Sequence, residues 1–158
     1  MGADIHICAE RKLKDGTWAM CQSYTSLCTK SFGSDKGRKF FRVRDRNYGF
    51  FADLAGVRGY GPKPRGMPKD ASPLVREECD AWGSDGHSHS WYSAHEFVPI
   101  FMKNKLTDEE RAELVSDKLT ASYDVNLISN VLCDYLAIDL PFDADAPENI
   151  RFVFWFDN

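Results

Sequence analysis

A histidine-rich segment holds the residues that are best suited to chemistry. It runs Asp85-Gly86-His87-Ser88-His89. On an extended backbone, a His-x-His pair places two imidazoles on one side, about 6 to 7 Å apart at Cα, so both can bind one divalent ion. Together with the first residues of the chain, the segment gives the predicted metal set: Asp4, His6, Asp85, His87 and His89. Such a set suits Zn²⁺ or Mn²⁺ and would activate water for hydrolysis.

A structural role for the same histidines is the alternative. His87 and His89 would then hydrogen-bond to the backbone of their own loop and fix its shape. The chain has no H-E-x-x-H motif, and Asp4 and His6 lie far from the histidine-rich segment in sequence. Spacing alone therefore leaves both interpretations open.

Arginines and aromatic residues near glycine-rich turns predict a different site, one for a phosphorylated ligand. Guanidinium groups donate to phosphate in a fork geometry, aromatic faces stack on bases, and smaller polar groups bind base or ribose edges. The predicted ligand-binding residues are Arg46, Arg58 and Arg65 for phosphate, Tyr48 and Trp91 for stacking, and Asn47, Asp85, His87 and His89 for polar edges. The sequence lacks a Walker motif and a G-x-G-x-x-G that opens a helix, which argues against ATP-hydrolysing and dinucleotide-binding folds.

The charge balance restricts the partners. The chain has 20 Lys and Arg residues against 24 Asp and Glu, a formal net charge of −4, so it lacks the basic character expected for binding duplex nucleic acid. Basic residues concentrate in residues 30–46, and an acidic protein with one basic segment fits a small anionic ligand. No apolar stretch is long enough for a membrane span, so we expect no membrane partner. The five cysteines have no C-x-x-C spacing, which favours reduced thiols and a cytoplasmic location.

Turn and capping residues predict the elements. Residues 3–24 alternate in polarity around Asp15-Gly16, which predicts a β-hairpin. Asn47 is a predicted helix cap, and that helix should end near Val57-Arg58 because glycines follow. Further helices are predicted after Ser72 (continuing through Trp82), after Ser93, after Thr107 (to about Leu119) and across the apolar stripe from Leu127 to Leu136, closed by Pro141.

Residues 59–68, which we call the connector, combine three prolines with three glycines. Prolines restrict the unfolded chain and glycines permit unusual backbone angles. A loop with this composition has a defined shape, which suits the wall of a ligand site. A plain linker between two helices is the alternative.

The C-terminal residues 150–156 predict a central strand, because both of their alternating faces are largely apolar. The whole pattern predicts one α+β domain over residues 1–158. It has a small antiparallel sheet, made from the N-terminal hairpin and the C-terminal strand, with three to five inserted helices. Residues 25–46 are predicted to form a projecting basic loop or hairpin.

Four segments resemble a group of small proteins encoded by tailed bacteriophages and prophages. Here they read DIH (4–6), RNYGFFADLAGVR (46–58), PRGMPKDAS (64–72) and DGHSHSW (85–91), against D-I-H, R-N-Y-x-L-F-x-x-L-A-x-V-R, P-R-G-L-P-x-D-x-S and D-x-H-S-x-S-W in that group. The resemblance weakens over residues 25–44 and 103–148. It implies a phage setting, in the cytoplasm of an infected bacterium, and a role against host defences that signal through nucleotides.

These observations lead to one preferred function and two alternatives. The preferred function is capture of a small phosphorylated nucleotide-like ligand, which requires no cofactor and needs only complementarity to the ground state. The first alternative is a metal-dependent, phosphodiesterase-like hydrolase of a similar molecule, with Zn²⁺ or Mn²⁺. The second is a protein that inhibits a host enzyme through its apolar and basic surface. A homo-oligomer is compatible with each of them.

Overall fold

The computed structural model describes residues 2–23, 46–116, 123–136, 138 and 147–158. The predicted basic loop or hairpin at 25–46 lies outside the described residues apart from Arg46. The predicted helix end near Leu119 and the closing Pro141 lie outside them as well. The assignment of residues 1–158 to one domain stays a prediction.

A four-stranded antiparallel sheet organises the described residues and confirms the α+β class. Its strands are β1 (Asp4–Lys12), β2 (Trp18–Ser23), β3 (His87–Ser93) and β4 (Ile150–Asp157), in the order β2-β1-β4-β3. The C-terminal strand β4 is central, as its apolar alternation predicts, and every residue from Ile150 to Phe156 is buried. The edge strand β3 was not predicted as part of the sheet.

The N-terminal hairpin forms as expected. Gly16 adopts φ +85° in the turn, where a residue without Cβ is favoured. The Asp15 carboxylate accepts hydrogen bonds from the backbone N–H of Thr17 (2.9 Å) and from its hydroxyl (2.6 Å), which fixes the turn.

Five α-helices are inserted between β2 and β4 in the described part of the chain. They are α1 (Tyr48–Ala55), α2 (Pro73–Asp80), α3 (Ala94–Lys105), α4 (Asp108–Ser116) and α5 (Tyr123–Asn130). The predicted caps are present: Asn47, Ser72 and Ser93 each accept a hydrogen bond from a first-turn N–H, and Ser93 with Glu96 forms a capping box.

Two predicted helix ends are wrong. Helix α1 ends at Ala55, not near Val57-Arg58, because Gly56 adopts φ +69° and returns its N–H to the Ala52 carbonyl. Helix α2 ends at Asp80, not at Trp82. The apolar stripe from Leu127 to Leu136 is helical as predicted, first as α-helix to Asn130 and then as a π-helical turn, Val131–Tyr135.

The two faces of the sheet are covered unequally. The first face, which carries Phe152, Phe154 and Phe156, packs against apolar side chains of α1, α3 and α5 in the main core. The second face carries Val153 and Trp155 and packs in a smaller cluster with Val75 and Cys79 of α2. The second face therefore depends on one short helix and on the connector that leads into it.

Candidate functional site

A β-bulge separates the two histidines that the sequence places side by side. Ser88 adopts φ +54°, and β3 uses three steps from His87 to Ser90 where β4 uses two from Phe156 to Phe154. The extra residue turns His87 toward the first face, where its ring lies 6.2 Å from that of Phe156. His89 lies beside Cys79 on the second face. The prediction that both imidazoles lie on one side is wrong, because the backbone between them is not regularly extended.

Asp4 and His6 share the second face, as predicted, but each contacts a group other than the histidine-rich segment. Asp4 accepts from Arg46 at 2.8 and 3.2 Å. The His6 ring lies 4.0 Å from the Trp82 ring, and its Nε2 is 3.4 Å from Asp157 Oδ2. Burial lowers the pKa of His6, and the attraction of Asp157 only partly opposes this. Among the described residues, no group of three His, Cys, Asp or Glu side chains is placed to hold a metal ion.

The three arginines predicted to bind phosphate contact different groups. Arg46 pairs with Asp4, and Arg58 lies 6.0 Å from the centre of the exposed Tyr48 ring. Arg65 forms a two-point ion pair with Glu96 and lies 4.3 Å from the Tyr92 ring. The Arg65 hydrogen bonds lower the pKa of Glu96 to about 2. These contacts give Arg46 and Arg65 structural partners in place of a phosphate.

The remaining predicted ligand residues also divide between structural and exposed positions. Asn47 caps α1 and donates to the Asn104 carbonyl at 2.9 Å. Trp91 packs on the second-face cluster, with Arg65 and Arg151 at 5.2 and 5.8 Å from its ring. Asp85 is exposed at the end of a short 3₁₀ turn, Gly83–Asp85. Of the predicted site, His89 is the residue that lines a polar cavity.

That cavity has a volume of about 470 Å³ and lies on the second face. The connector supplies Pro64 and Gly66, with Met67; α2 supplies Arg76, Cys79 and Asp80; β3 supplies His89. Two hydrogen bonds attach the connector to the outer edge of β3: Gly66 N–H to the His89 carbonyl (2.8 Å) and Arg65 N–H to Ser90 Oγ (3.1 Å). The connector thus forms one wall of the cavity and also joins α1 to α2.

Close packing also holds the far end of the connector in place. A Cβ at Gly61 would overlap the carbonyl oxygen of Ala52 in α1, so this approach requires glycine. Gly66, at φ +86°, makes the turn that leads its N–H to β3. The shape of the cavity wall therefore depends on two glycines whose roles are different.

Arg76 and Asp80 lie one helical turn apart on the cavity side of α2 and do not pair with each other. Arg76 Nη2 donates to the Pro68 and Lys69 carbonyls at 2.9 and 2.6 Å. Within the described ranges, neither the other nitrogens of Arg76 nor the Asp80 carboxylate has a hydrogen-bond or ion-pair partner. Both groups are therefore available to a ligand.

His89 supplies a third polar group to the cavity. Its ring has no hydrogen-bond partner in the described part of the protein. Burial and the neighbouring His87 lower the pKa of His89, while Asp80 raises it. A Cβ added to Gly86 would lie 3.5 Å from His89 Nε2 and 3.6 Å from Cδ1 of the fully buried Trp155, so the two rings lie close to the same point on the second face. The neutral imidazole offers one donor and one acceptor.

A second cavity, of about 660 Å³, lies among α3, α4 and α5 and is mainly apolar. Its two cationic residues have structural partners: Lys103 donates to Asp53, and Arg111 donates to the Met102 and Leu106 carbonyls. Its lining therefore has fewer polar groups available to a ligand than the cavity at His89.

Sequence reasoning missed Arg76 and Asp80. The signal was present as an acid and a base four residues apart on a helix that directly follows the connector. That spacing is common on solvent-exposed helices, so the sequence alone did not distinguish a cavity lining from an ordinary helix surface.

The chain matches no family model, no curated protein and no solved structure. The fold and the site define an α+β protein with a polar cavity between an edge strand and a single short helix. Within the described residues, no helix is both long enough and apolar enough to cross a membrane.

Proposed function

We propose that this protein captures a small phosphorylated, nucleotide-like ligand in the cavity at His89. The observation that carries the proposal is the presence in one space of Arg76 and His89, each with polar atoms that have no partner among the described residues. The volume of about 470 Å³ lies within the range of small-ligand pockets.

The lining supports a division of roles. Arg76 donates to the phosphate, because a guanidinium gives charge-assisted hydrogen bonds to phosphate oxygens. Pro64 and Met67 provide apolar surface for the base, and His89 hydrogen-bonds a neutral polar edge. Arg76 takes the role that the sequence analysis assigned to Arg46, Arg58 and Arg65.

Capture without turnover is favoured by the state of the one thiol in the cavity. Burial raises the pKa of Cys79, and the nearby Asp80 adds to this effect. A protonated thiol is a poor nucleophile. The proposal therefore includes no covalent step at this cysteine.

The resemblance to phage-encoded proteins extends the proposal to the biological ligand. We propose that the protein acts in the cytoplasm of an infected bacterium and removes a nucleotide signal of a host defence system. This extension rests on analogy with that group and on the ligand chemistry of the cavity.

The test is to incubate the purified protein with AMP, GMP, cyclic AMP and ADP-ribose, each with and without EDTA. Unbound ligand is removed, the protein is heat-denatured, and the supernatant is analysed by mass spectrometry. Release of intact ligand in both conditions supports capture. An altered product that EDTA abolishes supports the metal-dependent hydrolase instead, and no retained ligand contradicts the proposal.

Matched variants locate the site. Arg76→Gln should weaken binding of the retained ligand about tenfold or more, because a charge-assisted hydrogen bond is lost. Arg58→Gln is the control, since it removes an exposed arginine that does not line the cavity. Arg76→Lys keeps the charge and checks that the effect is not a loss of fold. Equal affinities of the Arg76→Gln and Arg58→Gln proteins would place the ligand elsewhere.

A further inference from the structure

The polar groups on α2 limit which part of a nucleotide can lie beside them. Arg76 and Asp80 project from one helix four residues apart, so their Cβ atoms are about 5–6 Å apart. This spacing normally permits an ion pair, but the two side chains do not form one. Both border the cavity with His89. A ligand that meets both groups must present an anion and hydrogen-bond donors within about one helical turn of each other.

We propose, on the basis of the function proposed above, that Asp80 accepts hydrogen bonds from the 2′- and 3′-hydroxyls of a ribose whose 5′-phosphate is held by Arg76. The protein would thus select ribonucleotides with a free cis-diol. A carboxylate only accepts hydrogen bonds, and its two oxygens match two adjacent hydroxyl donors. Carboxylate recognition of the ribose 2′-hydroxyl is an established way to read this sugar.

The span between the two groups favours the sugar over the base. In a 5′-nucleotide, the phosphate and the ring hydroxyls are separated by a single ribose, which is comparable with one helical turn of about 5.4 Å. The donor groups of a base lie beyond the glycosidic bond and farther from the phosphate. Asp80 therefore meets the hydroxyls when Arg76 holds the phosphate.

His89 is placed to complete the recognition of the sugar. It borders the same cavity from β3, opposite the helix that carries Arg76 and Asp80. Its neutral ring can donate to the ring oxygen or accept from a hydroxyl. The base then lies toward Pro64 and Met67, which place few specific demands on its identity.

The experiment uses isothermal titration calorimetry to compare the binding of ribose and deoxyribose probes to the 158-residue protein. The pairs are ribose 5-phosphate with 2-deoxyribose 5-phosphate, and AMP and GMP each with the 2′-deoxy form. We expect each deoxy probe to bind about tenfold more weakly, because one hydrogen bond to a charged group is lost. Asp80→Asn should reduce this preference to less than about twofold, because its amide cannot accept from both hydroxyls.

Glu77→Gln is the matched control, because Glu77 is an exposed carboxylate on the same helix that does not line the cavity. It should keep the full preference for ribose, and thermal melting of both variants checks that they are folded. Equal binding of the ribose and deoxyribose probes by the wild-type protein overturns the diol assignment and leaves the proposed function standing. Binding restricted to cyclic 3′,5′-nucleotides would likewise overturn the diol assignment and leave the proposed function standing. If none of these probes, no cyclic nucleotide and no ADP-ribose binds, the proposed function fails and the diol assignment fails with it.

Discussion

At the scale of single residues, the two histidines of the His-x-His motif differ because one serine between them has a positive φ. His87 stacks on Phe156, and its Nδ1 lies 2.9 Å from Ser88 Oγ, whereas His89 borders the polar cavity. The motif therefore supplies one ring that borders the cavity and one ring that packs on the sheet. We therefore expect substitutions of different histidines to have unequal effects on ligand affinity.

His89→Gln should weaken binding of the ligand retained in the capture experiment about tenfold, since the amide cannot reproduce the position of the ring nitrogens. His95→Gln is the matched control, because His95 is exposed on α3 and does not line this cavity. Affinity is measured by calorimetry near neutral pH. If the two variants bind equally well, His89 is not part of the site.

At the scale of elements, a buried ionic network holds α2 against the sheet. Arg151 of β4 donates to Glu10 Oε1 at 2.7 Å and to Asp70 Oδ1 at 2.8 Å. The second oxygen of Glu10 accepts from the N–H of Ser72, the cap of α2, at 2.7 Å. Glu10 and Arg151 are 0% and 4% exposed, so neither charge can be compensated by water if its partner is removed. The position of the cavity wall thus depends on two central strands.

Arg151→Met should lower the free energy of unfolding by about 3–5 kcal/mol, because it leaves the Glu10 carboxylate buried without its cation. Glu10→Met together with Arg151→Met should cost less than the two single changes added, since no unpaired charge remains. Urea denaturation of the four proteins measures the coupling. Simple additivity would show that the pair does not act as a unit.

Local sequence signals predicted most of the elements but not the way that they meet. The caps at Asn47, Ser72 and Ser93 and the turn at Asp15-Gly16 are decided by nearby hydrogen bonds, so short patterns were enough. The bulge at Ser88 depends on pairing with β4, which is distant in sequence. The cavity residues Arg76 and His89 come together through this pairing and the shape of the connector, so no local pattern could identify them as one site.

At the scale of the whole molecule, the two faces of the sheet differ in the polarity of the groups that cover them. The aromatic core on the first face contains fully buried side chains such as Phe97, Phe152 and Phe154. The second face holds the polar cavity together with His6 and His89, two histidines whose pKa values are lowered by burial. We therefore expect the second face to make the stability of the folded protein depend on pH in mild acid.

The free energy of unfolding should fall as the pH is lowered from about 7.5 to about 5, because the unfolded chain then binds protons that the folded protein resists. The pKa of both histidines lies below the ordinary value of 6.5 when the protein is folded. Their stabilising contribution is therefore complete above that value and is lost as the pH falls through the lower, folded-state pKa. The carboxylates around His6 (Asp157, Asp4 and Glu78) and Asp80 near His89 oppose the effect without reversing it.

His6→Asn and His89→Gln should each flatten the dependence of chemical denaturation on pH, whereas the exposed-site variant His95→Gln should retain the wild-type slope. A wild-type stability that is constant or rises toward pH 5 would contradict the burial of these rings as neutral groups.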